Sequence, residues 1–182
     1  MVNWRTIWEN KGKLNTQDLV ELDGFEKSCI QPQDVAGKIK KLLEITDDEI
    51  VVEVGCGAGM IAQYMTCGYL GIDYSQPLLI KMRKILGREV LNAEAIHVPL
   101  RDKSVDKIYV FSVFHYFPNL VYALSVIEEL KRVARKSIFV GDLPVKSHSH
   151  DHLLYDESFF PGWRISAGFY NPDRFNACLK LS

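Results

Sequence analysis

The sequence predicts a doubly wound α/β fold: a mostly parallel sheet flanked by helices. Three observations predict it. Short apolar runs alternate with helical-period segments between residues 50 and 142, which implies right-handed βαβ crossovers. A glycine-rich turn, Gly55-Cys56-Gly57-Ala58-Gly59, follows the first run. The polar residues Asp73, Asn92, Ser112 and His115 all fall at or just past the carboxyl ends of later runs, where such sheets bind ligands.

Taken in order, residues 1–31 form an arm in which Trp4, Ile7, Trp8, Leu14, Leu19, Leu22 and Phe25 are spread among polar positions. Trp4 and Trp8 stand four apart and share one face of a short helix. The arm packs on the domain, covers the site as a lid, or does both; residues 32–182 form the domain proper. Pro32 suits a first helical turn, and Val35, Ile39, Leu42 and Leu43 continue at helical spacing to about residue 45. Residues 50–54 read as a buried parallel strand and 59–66 as the helix after it. A second strand is expected at 69–73. Ser75 is the N-cap of a helix to about residue 86. Strands follow at 90–92, 107–112 and 137–142, with a helix over 119–133 before the last. Asn171-Pro172 is expected to open a final short helix to about residue 179.

The 182 residues suffice for one domain with a real core. The net charge is -1, from 22 basic and 23 acidic residues. Without a basic surplus, general binding to nucleic acid or to an anionic membrane is not expected. The four cysteines, Cys29, Cys56, Cys67 and Cys178, show no C-x-x-C spacing. The start of the chain lacks a signal-like apolar run, and no stretch nears the ~18 apolar residues of a membrane span. A cytoplasmic, reduced setting is the expectation.

The glycine turn lets a ligand approach the backbone closely. It is not a P-loop, because Gly59 is followed by Met60-Ile61 and not by Lys-Ser/Thr. A dinucleotide fingerprint wants its third glycine where Met60 stands, which disfavours an NAD-dependent oxidoreductase. Glu53, two residues before Gly55, completes E-x-G-x-G-x-G. This resembles motif I of the class I S-adenosylmethionine-dependent methyltransferases. The resemblance implies a Rossmann-like methyltransferase fold whose loop, with Glu53, Gly55, Cys56, Gly57, Ala58 and Gly59, wraps the methionine part of S-adenosylmethionine. Asp73, with Tyr74 beside it, matches the acid that accepts both ribose hydroxyls; a carboxylate has acceptor oxygens for both. The alternative for Asp73 is a turn or cap residue.

Further along, Asn92-Ala93-Glu94-Ala95 and then Val98-Pro99-Leu100-Arg101-Asp102 resemble the family's D-A-x-x-L-P-F-x-D segment. By that resemblance Asn92, Ala93 and Glu94 adjoin the adenine, with Asn92 replacing the commoner acid. Phe111-Ser112-Val113-Phe114-His115-Tyr116 resembles x-S-x-L-H-H, which sets Ser112, Val113 and His115 beside the sulfur or the acceptor. His115 is the candidate general base; otherwise it shapes the pocket. Cys56 is expected to pack as a small side chain. His148, His150 and His152 alternate along the chain, so metal ligation is conceivable, but a solvated loop or pocket wall is the plainer expectation and no metal is assigned. Tyr155, Phe159, Phe160, Trp163, Phe169 and Tyr170 form a lid or a satellite core.

The resemblance breaks at the end. The family sheet closes with a hairpin, and this chain leaves no room for one, so it is expected to lack the C-terminal hairpin as a short member or a cut-short chain. The fifth strand would then be an exposed edge, covered by the arm or by a second copy in a homodimer. The expected acceptor is a small or medium organic molecule, O-methylated in a pocket made by Trp8, His115 and residues 148–170. Protein or nucleic-acid methylation, and a degenerate cofactor-binding partner, are the alternatives. An Asn/Asp-Pro-Pro-Tyr/Phe tetrad is missing after the fourth strand.

Overall fold

A computed structural model describes residues 2–25, 31–146 and 151–181. Cys29, His148 and His150 lie outside them. The strands are β1 (Ile50–Val54), β2 (Gly68–Asp73), β3 (Glu89–Asn92), β4 (Val105–Phe111), β5 (Ala134–Pro144), β6 (Arg164–Ala167) and β7 (Arg174–Lys180). The helices are α1 (Trp4–Gly12), α2 (Leu19–Leu22), α3 (Pro32–Leu43), α4 (Gln76–Leu86) and α5 (Leu120–Val133). The sheet order is β3-β2-β1-β4-β5-β7-β6. β1 to β5 are parallel, and β7 runs antiparallel to both β5 and β6. Strand order reverses between β1 and β4, which opens the crevice where such folds bind ligands.

The period-two alternation of the strands divides the core between the two faces. Val51, Tyr109 and Phe139 pack on one side with Ile39, Leu78 and Met82 from α3 and α4. Val52, Val54, Ile108, Val110 and Val140 pack on the other with Val126, Ile127 and Leu130 from α5. Pro32 opens α3, and Gly87, at φ 64°, closes α4 in the left-handed region glycine favours. Among the described residues no helix is long and apolar enough to cross a membrane.

Three expectations are corrected. Residues 59–66 form only a 3-10 turn at Ala62–Tyr64. Few residues separate Gly59 from β2, and Gly59 sits at φ 96°, outside helical space. The segment after Asn171-Pro172 is strand β7. Asn171 makes a side-chain turn, its Oδ1 accepting from the Asp173 amide at 2.9 Å, and the residues after it alternate between faces. Phe175 and Ala177 enter the α5-side core, whereas Cys178 enters the other. The C-terminal hairpin is therefore present, as β6 and β7. β5 is an interior strand between β4 and β7 and offers no free edge for a dimer.

The arm is tied to α4. A Cβ on Gly12 would lie 2.6 Å from the Leu78 amide nitrogen, so α1 and α4 approach backbone to backbone there. Lys81 donates to the carbonyls of Leu14 and Thr16, and Ser75 Oγ donates to that of Trp8. Ser75 holds the N-cap position, but its hydroxyl serves the arm and not the helix.

Candidate active site

A cavity of about 800 Å³ opens over the carboxyl ends of β1, β2 and β4. Its floor is the turn after β1. Gly55 (φ 78°) and Gly57 (φ 54°) adopt left-handed conformations. A Cβ at Gly55 would lie 2.3 Å from Val113 Cγ2, and one at Gly57 2.2 Å from Asp23 Oδ1. Both positions thus need glycine twice over, for the backbone angle and for the space. The Gly55 and Cys56 amides donate to the Ile72 carbonyl, which fixes the turn against β2.

Three carboxyl groups surround this turn. Asp73 Oδ2 accepts from the Gly57 amide at 3.0 Å and Oδ1 from the Ser75 amide at 2.7 Å. Glu53 Oε2 accepts from the phenols of Tyr69 and Tyr109, the latter at 2.7 Å. Asp23, at the end of α2, accepts from the Ala58 amide at 2.6 Å and the Met60 amide at 2.8 Å. Burial is the main cause raising all three, to about 6 for Asp73, about 8 for Glu53 and about 7 for Asp23. Burial likewise pushes the Cys56 thiol well up, so Cys56 packs as an inert side chain.

On the β2 side, Tyr74 lines the cavity under the Arg5 guanidinium, 4.5 Å from its ring centroid, and Arg5 also pairs with Glu94. Ala93, Glu94 and Ala95 complete that wall. Asn92 does not line it. Its Nδ2 donates to the carbonyls of Asp73 (2.9 Å) and Tyr74 (2.8 Å), so it braces the end of β2. Ala58 and Gly59 also lie behind the cavity surface, whereas Glu53, Gly55, Cys56 and Gly57 lie on it.

A further part of the wall is aromatic. Tyr116 packs against Trp4 (4.7 Å between ring centroids), Trp8 (5.3 Å) and His152 (5.5 Å). Phe117 and Tyr122 lie beside it. His115 is only 2% exposed and stands off the cavity surface, its ring 4.6 Å from His152. Ser112 and Val113 do line the cavity. Ser112 (φ 58°) donates through Oγ to Asp142 (φ 63°) at 2.7 Å. A left-handed conformation in a non-glycine residue costs about 1–2 kcal/mol, so this pair stores strain at the end of β4 and β5. Arg174 and Asn176 of β7 hold Asp142 in place.

Sequence reasoning missed Asp23, Asp142 and Arg174. Leu22-Asp23-Gly24 reads locally as a turn, and nothing in it signals a return to the glycine loop. Asp142 is visible as a strand end, but its partners come from a segment read as helix. Among the described residues no His, Cys, Asp and Glu group could hold a metal.

A family profile described as a methyltransferase domain matches residues 52–139, the stretch from β1 to β5 that carries the glycine floor, Asp73 and Tyr116. The match, together with the fold, supports a class I S-adenosylmethionine-dependent methyltransferase. This methyltransferase domain is 32% identical over 105 residues to a tRNA (carboxymethyluridine(34)-5-O)-methyltransferase of Arabidopsis thaliana, covering 57% of the chain and 26% of the relative. It is 28% identical over 180 residues to a nonribosomal peptide synthetase of Aspergillus flavus, covering 91% of the chain and 2% of that protein. The chain thus spans about a quarter or less of these relatives' lengths. In fold it resembles magnesium protoporphyrin IX methyltransferase from Synechocystis PCC 6803, solved with bound S-adenosylmethionine: TM-score 0.67, 14% identity, 100% of this chain and 99% of the other. S-adenosylmethionine is the family's cofactor, and the site fits it. The cavity has the size of a nucleoside ligand site, its glycine floor admits close approach, and each Asp73 oxygen keeps an acceptor direction beyond its single backbone bond.

Proposed function

We propose that this domain methylates an oxygen of a small or medium, flat organic acceptor. The observation that carries the reading is one continuous cavity lined both by the glycine floor with Asp73 and by the rings of Trp4, Trp8, Tyr116 and His152. S-adenosylmethionine supplies, when bound, an activated methyl group on positively charged sulfur. The chain's own residues hold it and exclude water. The glycine loop of residues 55–59, with Glu53, lies along the methionine part. Asp73 accepts from the ribose hydroxyls, with Tyr74 beside it. Ala93 and Glu94 flank the adenine, and Asn92 serves from behind by holding the ends of β2 and β3. Ser112 and Val113 adjoin the sulfur.

The acceptor lies against Tyr116 and His152, and its alignment with the methyl group supplies the main rate effect. His115 is a positioning residue in this reading: it backs Tyr116 and His152 and takes no proton. The arm of residues 1–31 closes the domain of residues 32–182 as a lid, through Trp4, Arg5 and Trp8. The buried free thiols Cys56, Cys67 and Cys178 suit a reducing, cytoplasmic setting.

A second reading is favoured by the Arabidopsis relative: the acceptor is a modified base of tRNA, seated in the same aromatic wall. The net charge of -1 weighs against this domain alone holding a phosphate backbone. Transfer of labelled methyl groups to a panel of carboxylates and phenols, set beside total tRNA, separates the two. Label in low-mass acceptors supports the first reading. Label in tRNA alone supports the second.

A further inference from the structure

We propose that Asp23, supplied by the arm, is the counter-charge for the α-ammonium group of the cofactor. The inference rests on the reading above that the cavity holds S-adenosylmethionine. Asp23 lines the cavity beside the glycine turn, where it meets the Ala58 and Met60 amides. Its Oδ1 accepts from the Ala58 amide and its Oδ2 from the Met60 amide, with the Gly59 amide adding to the same carboxylate. A carboxylate offers about four acceptor directions, so one remains for a further donor. The carboxylate abuts Gly57, close enough to fill the space of a Cβ there, so a ligand on the glycine turn meets Asp23 directly.

Its position is fixed by the fold. Leu19 and Leu22 of α2 are buried, the Asp23 amide donates to the Leu19 carbonyl, and Gly24 (φ 78°) turns the chain beneath the Trp8 ring. Charge points the same way. Among the described residues Asp23, Glu53, Asp73, Glu94 and Asp151 line the cavity, and the Lys/Arg side chain lining it with them is Arg5, which is committed to Glu94 and the Tyr74 ring. Glu53, the acid of the loop motif, already receives two phenols on one oxygen. Burial and the neighbouring Asp73 raise Asp23, and an ammonium ion beside it reverses that penalty.

The arm thereby senses the amino-acid end of the cofactor, and lid closure is coupled to it. Titration with two ligands tests this. S-adenosylhomocysteine carries the amino-acid group, and methylthioadenosine lacks it. For Asp23→Asn the expected result is a loss of about tenfold or more for S-adenosylhomocysteine and little change for methylthioadenosine. Asp23→Glu, which keeps the charge, should retain the preference for S-adenosylhomocysteine and serves equally if the Asn variant does not fold. Equal losses for both ligands, or no loss, would make Asp23 a brace of the loop alone and overturn the proposal. A parent protein that binds neither ligand would instead overturn the functional reading beneath it.

Discussion

Asp73 braces the backbone at the point where the proposed cofactor site lies. It accepts the Gly57 and Ser75 amides, so it shapes the glycine turn proposed to hold the cofactor. Asp73→Ala should weaken S-adenosylhomocysteine binding by about 1–3 kcal/mol, read by calorimetry. His115→Ala tests the opposite kind of residue. Because His115 stands behind Tyr116 and His152, turnover should fall modestly, with the change mostly in acceptor KM; a large loss in kcat alone would make it a base. The glycine loop and Asp73 were legible because their signal is local: a strand, a turn and an acid at fixed spacing. Asp23 was not, because it reaches the loop from 35 residues away and only tertiary structure brings it there. The carboxyl trio also fixes a pH dependence. Asp23, Glu53 and Asp73 titrate higher folded than unfolded, so between about pH 5 and 8 the folded state binds more protons than the unfolded one. Stability without ligand must then fall as pH rises through that window. Glu49, lowered to about 2 by its hydrogen bonds from Lys107 and Lys136 despite burial, acts only at lower pH. A melting temperature that rises from pH 5 to 8 would contradict the assignment.

At the scale of elements, β1, β2, β4 and β5 and helices α3, α4 and α5 were readable from periodicity, because each buries a whole face or stripe. β7 was not. Its Asn-Pro start resembles a helix opening, and a strand that buries polar Arg174 and Asn176 on one face hides its alternation. Those two residues are buried because they hold Asp142, so the misreading falls where the fold supports the site. The turn at Ala62–Tyr64 replaced a helix for lack of chain length. The arm is latched by exposed contacts, Arg5 on Glu94 and over Tyr74. An exposed pair of this kind adds at most about 1 kcal/mol. Arg5→Ala should therefore leave the melting temperature nearly unchanged while speeding dissociation of S-adenosylhomocysteine, measured by stopped flow. Equal dissociation rates would leave the arm as packing alone.

Across the molecule, a seven-stranded sheet with a core on each face presents a cavity at the reversal of strand order, and residues of the arm help to line it. The complete hairpin removes the ground for reading the domain as degenerate. What the acceptor wall takes depends on chemistry that this near-neutral surface does not write into composition. The central claim is that the turn at residues 55–59 holds S-adenosylmethionine. Calorimetric titration of S-adenosylhomocysteine into the parent and into Gly57→Val tests it most directly, with circular dichroism to establish that the variant is folded. The parent should bind one ligand per chain, and Gly57→Val, with a branched side chain thrust into the Asp23 carboxylate and the cofactor's path, should bind none. Unchanged affinity in the folded variant would contradict the account.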